Sequence, residues 1–270
     1  MKDFQKELGK ELLASVSRSF FLSLRFLPPK MRESTSLAYL LARISDTIAD
    51  TEALPKEKRL IFLSKIDSAI QGSGSFPDLT EMPFGEGLTE GESVLLRKSN
   101  LCLEWLESID DINLSSIQKV MRSIIKGQSD DLRRFSSNHL KCLSSQEELE
   151  NYTYDVAGSV GVFWTEIGFN SYGNKFSDQE IETMTELGSN YGKALQLLNI
   201  LRDFPQDFDN GRCYFPGQFN GSTSHKVWEE VSEFWISRCR FLMGSAAKYI
   251  NLLRSPRVRF STGLPAMIGF

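Results

Sequence analysis

The chain has 270 residues, 41% hydrophobic and 24% charged, with a formal net charge of −4. That is enough apolar material for one large domain or two small ones. The mild negative charge and the lack of a long basic run exclude a broad nucleic-acid surface, so no nucleic-acid partner is expected. Four cysteines, Cys102, Cys142, Cys213 and Cys239, lie far apart without C-x-x-C spacing. They read as free thiols in a reducing compartment. The opening MKDFQKELGKELL lacks the apolar core of a signal peptide, and no apolar run reaches the length of a membrane span. The expectation is a soluble, cytoplasmic protein, with peripheral membrane contact left open.

Apolar residues recur at three- and four-residue spacing and alternating strand patterns are scarce, so the fold class is all-α. The spacing predicts helices over about 4–25, 29–52, 56–71, 89–108, 114–135, 146–170, 178–206 and 224–253. The first contains SVSRSFFLSLRF, where Arg18 and Arg25 could bind phosphate. Phe20, Phe21 and Phe26 could line an apolar tunnel, although plain core packing is the simpler role for each. Pro28 and Pro29 mark a break and a new start.

The second helix carries Tyr39, Arg43, Asp46 and Asp50 at steps of four, three and four. Such steps put all four groups on one stripe. Alone, it could equally be a solvated face with an Arg–Asp pair. The stretch 71–87 is rich in Gly, Pro and Ser and reads as a long surface loop. GQSDDLRRF adds Gln128, Asp130 and Asp131, which could shape a pocket wall. ENYTYDVAGSVGVFW brings Tyr152 and Tyr154 ahead of Gly158 and Gly161, small residues that permit close helix approach or open a cavity.

The 178–206 helix carries a second polar row, Gln196, Asn199, Asp203 and Asp207, among leucines. Buried amides need partners, so this row reads as a site. Pro205 lies between the two aspartates and should kink or end the helix there. Arg212 and Tyr214 follow in DNGRCYFP, and Arg212 could clamp a phosphate.

The two stripes matter as a pair. Four carboxylates facing one cavity repel one another, and divalent cations relieve that repulsion. Magnesium prefers oxygen ligands and commonly shares them with a substrate phosphate. The spacing therefore points to a metal–diphosphate site held by Asp46, Asp50, Asp203 and Asp207.

Taken in order, SRSF, YLLARISDTIAD, YTYDVAG, QLLNILRDFPQD and GRCYFP resemble the squalene and phytoene synthase family of head-to-head prenyl transferases, and DTIAD resembles its squalene synthase form, closest to the bacterial squalene synthases. The resemblance spans nearly the whole chain. It implies an isoprenoid synthase fold: residues 1–270 as a single all-helical domain around a central cavity. It implies that Asp46, Asp50, Asp203 and Asp207 hold Mg2+. It implies that Ser17, Arg18, Ser19, Arg43, Gln196, Asn199, Arg202 and Arg212 bind or line the diphosphates, with Tyr39 beside them. Tyr152 matches the family's acid–base tyrosine, and Phe20 lines the pocket and faces a carbocation.

The implied reaction joins two molecules of farnesyl diphosphate to presqualene diphosphate, which NADPH then reduces to squalene. Phytoene-type or hydroxysqualene-type products, or a terpene cyclase on the same scaffold, are the alternatives. The family's longer squalene synthases continue past LPAMIGF with basic residues that serve the NADPH step, which leaves the second half-reaction open.

Overall fold

The computed structural model describes residues 3–17, 20–79, 87–135, 139–217, 219 and 222–269. Arg18 and Ser19, both expected to bind diphosphate, and residues 80–86 of the expected loop lie outside them. The described residues are almost entirely helical, as the spacing predicted. The helices break more often than expected, each time for a local reason.

The first segment is α1 (Asp3–Glu7), a π turn at Leu8–Leu12 and α2 (Leu13–Val16). It stops at Ser17, whose hydroxyl turns back onto the Leu13 carbonyl at 2.5 Å; α3 (Phe20–Phe26) then starts afresh. α4 (Pro29–Asp50) begins on the Pro28–Pro29 pair, where the missing N–H costs nothing. Its Leu37, Leu40, Leu41, Ile44 and Ile48 are fully buried, which fixes the face that Asp46 and Asp50 present. α5 (Lys56–Ile70) follows directly.

The expected 89–108 helix divides at Lys98 into α6 (Glu90–Arg97) and α7 (Ser99–Leu106). α6 opens with a capping box: Glu92 N–H donates to the Thr89 hydroxyl at 3.3 Å, and Thr89 N–H donates to the Glu92 carboxylate at 2.8 Å. α8 (Asp111–Arg134) is capped by Asp110, which accepts from Asn113 N–H at 3.0 Å. The expected 146–170 helix is α9 (Gln146–Thr153), a π turn at Tyr154–Gly158 and α10 (Ser159–Tyr172). α11 (Ile181–Asp209), α12 (His225–Leu252) and α13 (Pro256–Gly269) complete the chain.

Two short strands, β1 (Lys141–Cys142) and β2 (Arg212–Cys213), pair in parallel. The four cysteines are free thiols, as expected. α4 packs on α8 and α10, α10 on α11, and α11 on α12, enclosing a central cavity.

α11 does not end at Pro205. It continues to Asp209, so the expectation that the proline could end the helix is corrected. Proline removes one hydrogen bond in the last turn, and aromatic packing carries the helix on. Phe204 lies 5.3 Å from the Phe215 ring and 4.9 Å from Trp228, and Phe208 lies 5.3 Å from Trp228.

Glycines set the α10–α11 distance. A methyl group on Gly161 would strike the Gly188 carbonyl, and one on Gly192 would strike the Ala157 carbonyl. Backbone against backbone cannot yield cheaply. Gly161→Ala is therefore expected to destabilise the fold by about 2–3 kcal/mol in urea or thermal melts. Gly244 lies inside α12 with nothing within 4 Å of an added methyl. Gly244→Ala should instead stabilise by up to about 1 kcal/mol.

Candidate active site

A cavity of about 750 Å³ runs between the central helices. Along α4 its lining passes from Thr35 and Ala38 to Asp46 and Asp50; along α8 it passes from Val120 and Ile124 to Gln128 and Asp131. Helices rise 1.5 Å per residue, so each covers the cavity's length and changes character along it. Phe20, Leu24, Val160, Phe163 and Trp164 wall the apolar end, whereas Lys56, Arg59, Asn210 and Arg212 join the carboxylates at the polar end.

The polar end is organised by neutral donors and guanidinium groups. Gln128 Nε2 donates to Asp46 Oδ1 at 2.6 Å. Asp46 is pushed up to about 6, first by burial and then by the charge of Asp50. Its side chain keeps 48% of its surface accessible, and that surface faces the cavity, where water moderates the burial effect. Burial also raises Asp50, opposed chiefly by Arg212 and then by Arg43 and Arg59.

Asp131 is pushed up to about 6, first by burial, against the hydrogen bond from Tyr214 and the charge of Arg212. The Tyr214 hydroxyl donates to Asp131 Oδ2 at 2.9 Å, and its ring stacks on Tyr152 at 4.9 Å and 21°. Tyr152 is raised above the ordinary phenol value by burial and then by Asp131. Burial raises Asp207 too, against Arg212. One guanidinium thus sits in the field of carboxylates from three helices. The β1–β2 ladder anchors it: Lys141 N–H donates to the Gly211 carbonyl at 3.0 Å, and Leu143 N–H to the Cys213 carbonyl at 3.1 Å.

Tyr39, Asp46, Asp50, Tyr152, Gln196, Arg212 and Phe20 all line this cavity. Phe20 stacks on Tyr39 at 5.4 Å and 16°. Other expected residues take different places. Arg43 pairs with Glu92 and lies 4.0 Å from Asp46, so it braces the wall from behind. Ser17 is buried with its hydroxyl on its own helix. Arg202 and Asp203 pair with each other, Nε to Oδ1 at 2.7 Å, on a largely exposed surface. Asn199, Asp203 and Asp207 are not among the lining residues. The second row is therefore not one cavity-facing stripe.

Several residues carry the site without having stood out in the sequence. Asp131 and Gln128 were expected only as pocket wall. Lys56 and Arg59 lie on the first turn of α5, six and nine residues past Asp50, a spacing that a turn between helices could have suggested. Glu92 was hidden inside a capping box. Asp130 instead pairs outward, with Arg133 at 3.0 Å and Lys126 at 3.5 Å.

The lining suits a hard cation. Asp131 Oδ1 and Gln128 Oε1 are buried without hydrogen-bond partners, and the carboxylates beside them are held above their ordinary range. These are oxygen donors of the type magnesium takes. Among the described residues no three acidic, His or Cys side chains form a ready cage. Magnesium is ordinarily completed by substrate phosphate and water.

Residues 13–269 match the family model for squalene/phytoene synthase. The chain is 28% identical over 235 residues to squalene synthase of Schizosaccharomyces pombe, covering 85% of this chain and 46% of that one. It is 28% identical over 211 residues to squalene synthase of Saccharomyces cerevisiae, covering 76% and 44%. It thus spans about half the length of these curated relatives. Among solved structures, squalene synthase HpnC from Alicyclobacillus acidocaldarius superposes with a TM-score of 0.67 at 18% identity, over 98% of this chain and 90% of that one. That likeness carries the fold, the isoprenoid synthase architecture.

Raised carboxylates set a pH signature. With Asp131 near 6 against an ordinary 3.8, the folded state keeps a proton that the unfolded chain releases. Its contribution is therefore present below about pH 4 and lost as the pH rises through about 6. In thermal melts of the metal-free protein across this window, Asp131→Asn is expected to lose less stability with rising pH than the parent.

Proposed function

The chain belongs to the squalene/phytoene synthase family, and from that footing we propose that it joins two molecules of farnesyl diphosphate head to head into presqualene diphosphate, then reduced by NADPH to squalene. The observation that carries this reading is the division of one cavity into a charged end and an apolar end. The charged end suits a diphosphate and the apolar end suits a prenyl chain. A second apolar chamber of about 150 Å³ shares Phe20, Val156, Val160 and Trp164 with the first, which extends the space for hydrocarbon.

The residues have distinct work in this proposal. Bound magnesium would supply the positive charge that stabilises the departing diphosphate, held by Asp46 and Asp50 and, once Asp203 leaves its pair with Arg202, by Asp203 and Asp207 of α11. Arg212, Arg59 and Lys56 would grip the diphosphate oxygens, guanidinium groups in bidentate fashion. The stacked rings of Phe20 and Tyr39 present π faces to an allylic cation. Val160, Phe163 and Trp164 keep water from the cation. Tyr152 stacks on Tyr214, whose hydroxyl donates to Asp131, and its phenol would take part in moving the proton released as the cyclopropane closes.

Incubation with farnesyl diphosphate and magnesium, with and without NADPH, tests the reading by product identity. Squalene with NADPH and presqualene diphosphate without it are expected. A hydroxylated or dehydrogenated thirty-carbon product would move the second step to the alternatives, and a cyclic fifteen-carbon hydrocarbon would overturn the transferase reading. Asp46→Ala should lower turnover by at least about 100-fold. Magnesium should raise the thermal midpoint of the parent and not of Asp46→Asn. Tyr152→Phe should lower kcat by about 100-fold or more with little change in KM.

A further inference from the structure

Glu92 stands behind the cavity wall and takes no part in the proposed reaction. It is the third residue of α6, and its side chain is only 11% accessible. Burial alone would raise its carboxyl, yet hydrogen bonds from Thr89 and the charge of Arg43 outweigh burial and hold it below the ordinary carboxylate range. One oxygen, Oε2, accepts from the Thr89 N–H and from the Thr89 hydroxyl, each at 2.8 Å. The other, Oε1, accepts from Arg43 Nη2. The helix beneath is firmly seated. Leu95 and Leu96, one turn on, are buried. α6 packs on α2 and α4, and a methyl group on Gly91 would strike the Ser15 side chain. Glu92 is therefore a negative charge held at both oxygens, on a helix whose place is set by packing.

The tie matters because of what Arg43 would otherwise reach. Arg43 and Asp46 are three residues apart on α4, the spacing at which a guanidinium and a carboxylate pair along a helix. A bidentate pair of that kind would occupy both oxygens of Asp46. Instead the two groups stay 4.0 Å apart, beyond hydrogen-bond length, and Asp46 accepts from the neutral amide of Gln128. Arg43 still has donors to spare, since its Nε is buried without a hydrogen-bond partner among the described residues. Arg202 and Asp203 show the other outcome in the same chain. There the guanidinium closes on the carboxylate through Nε at 2.7 Å and Nη2 at 2.6 Å, and both oxygens are taken.

We propose that Glu92 is a positioning residue: by holding Arg43 back, it keeps the Asp46 carboxylate open to a divalent cation. This role rests on the reading of Asp46 as a magnesium ligand, and it adds the residue that makes that ligand available. A buried ion pair is a poor source of stability in itself. Here it settles how three charges are shared, with one guanidinium held by one carboxylate so that another stays free.

Titration of the whole chain with magnesium chloride alone, without substrate, tests this role. The readout is the magnesium concentration that gives half the maximal rise in thermal midpoint. Glu92→Gln keeps the capping box, where Glu and Gln serve alike, and removes the charge. It should raise that concentration by about tenfold, as loss of a partner behind a metal ligand does. Glu92→Asp keeps the charge but not the reach and should move it in the same direction; it also covers the case in which the Gln variant misfolds. Adding Arg43→Gln to Glu92→Gln should bring the concentration back toward the parent's, because no guanidinium remains to cover Asp46. A crystal structure of Glu92→Gln should show Arg43 hydrogen-bonded to Asp46. If Glu92 only supports the fold, its variants lower the metal-free midpoint and leave the magnesium titration where it was, and the proposal is overturned. A shift in Glu92→Gln that Glu92→Asp lacks overturns it too, because charge alone would then account for the effect. A parent that magnesium does not stabilise removes the metal reading of Asp46 and this role with it. A parent that responds, beside variants that respond identically, removes this role alone.

Discussion

The arrangement depends on gathering carboxylates at one end of an otherwise apolar cavity. Asp46, Asp50 and Asp131 lose much of their hydration there, and burial is the leading cause of each one's raised pKa. Like charges in a poorly hydrated space persist only if something opposes them. Arg212 is the common answer, acting on Asp50, Asp131 and Asp207 from a short strand that is itself hydrogen-bonded to β1. The protein thus keeps a site short of positive charge, which is what the proposed magnesium–diphosphate binding requires.

Packing exists to hold that end in place. α10 and α11 approach until Gly161 and Gly188 touch, which sets the width of the cavity between them and α4. The π turn at Tyr154–Gly158 follows Tyr152 and carries Val156 into the lining. Asp155 is pinned within it by Lys126 and by the Ser123 hydroxyl at 3.2 Å. That contact ties the turn to α8, the helix that also supplies Gln128 and Asp131. A shift at any of these contacts moves both the phenol and the carboxylates, because they share helices.

The outer surfaces follow a similar economy. α3 contributes Phe20 to the inner chamber and Leu22 and Phe26 to the outside, so its seven residues carry rings on both sides. No helix among the described residues is long and apolar enough to cross a membrane, so any lipid contact made by this part of the chain is made along a face.

Much of this was legible in the residues. Three- and four-residue periodicity determined the all-α class, Pro29 the start of α4, and the Asp46–Asp50 step a shared stripe on an unbroken helix, because each rests on local geometry. The identity of the site's partners was not local. Asp203 had the same spacing logic as Asp46, yet its neighbour Arg202 takes it in an exposed pair. Asp131 had no stripe to mark it, yet a tyrosine 83 residues away in sequence makes it part of the site. Pro205 reads as a kink or a helix end, but aromatic rings from α12 and the segment after β2 pack where the helix runs past it. Sequence determined which side chains share a helix face, since that depends on 3.6 residues per turn. Only the tertiary structure decided which faces meet the cavity and which charges find partners, because burial and Coulomb energy depend on distances that chain order does not encode.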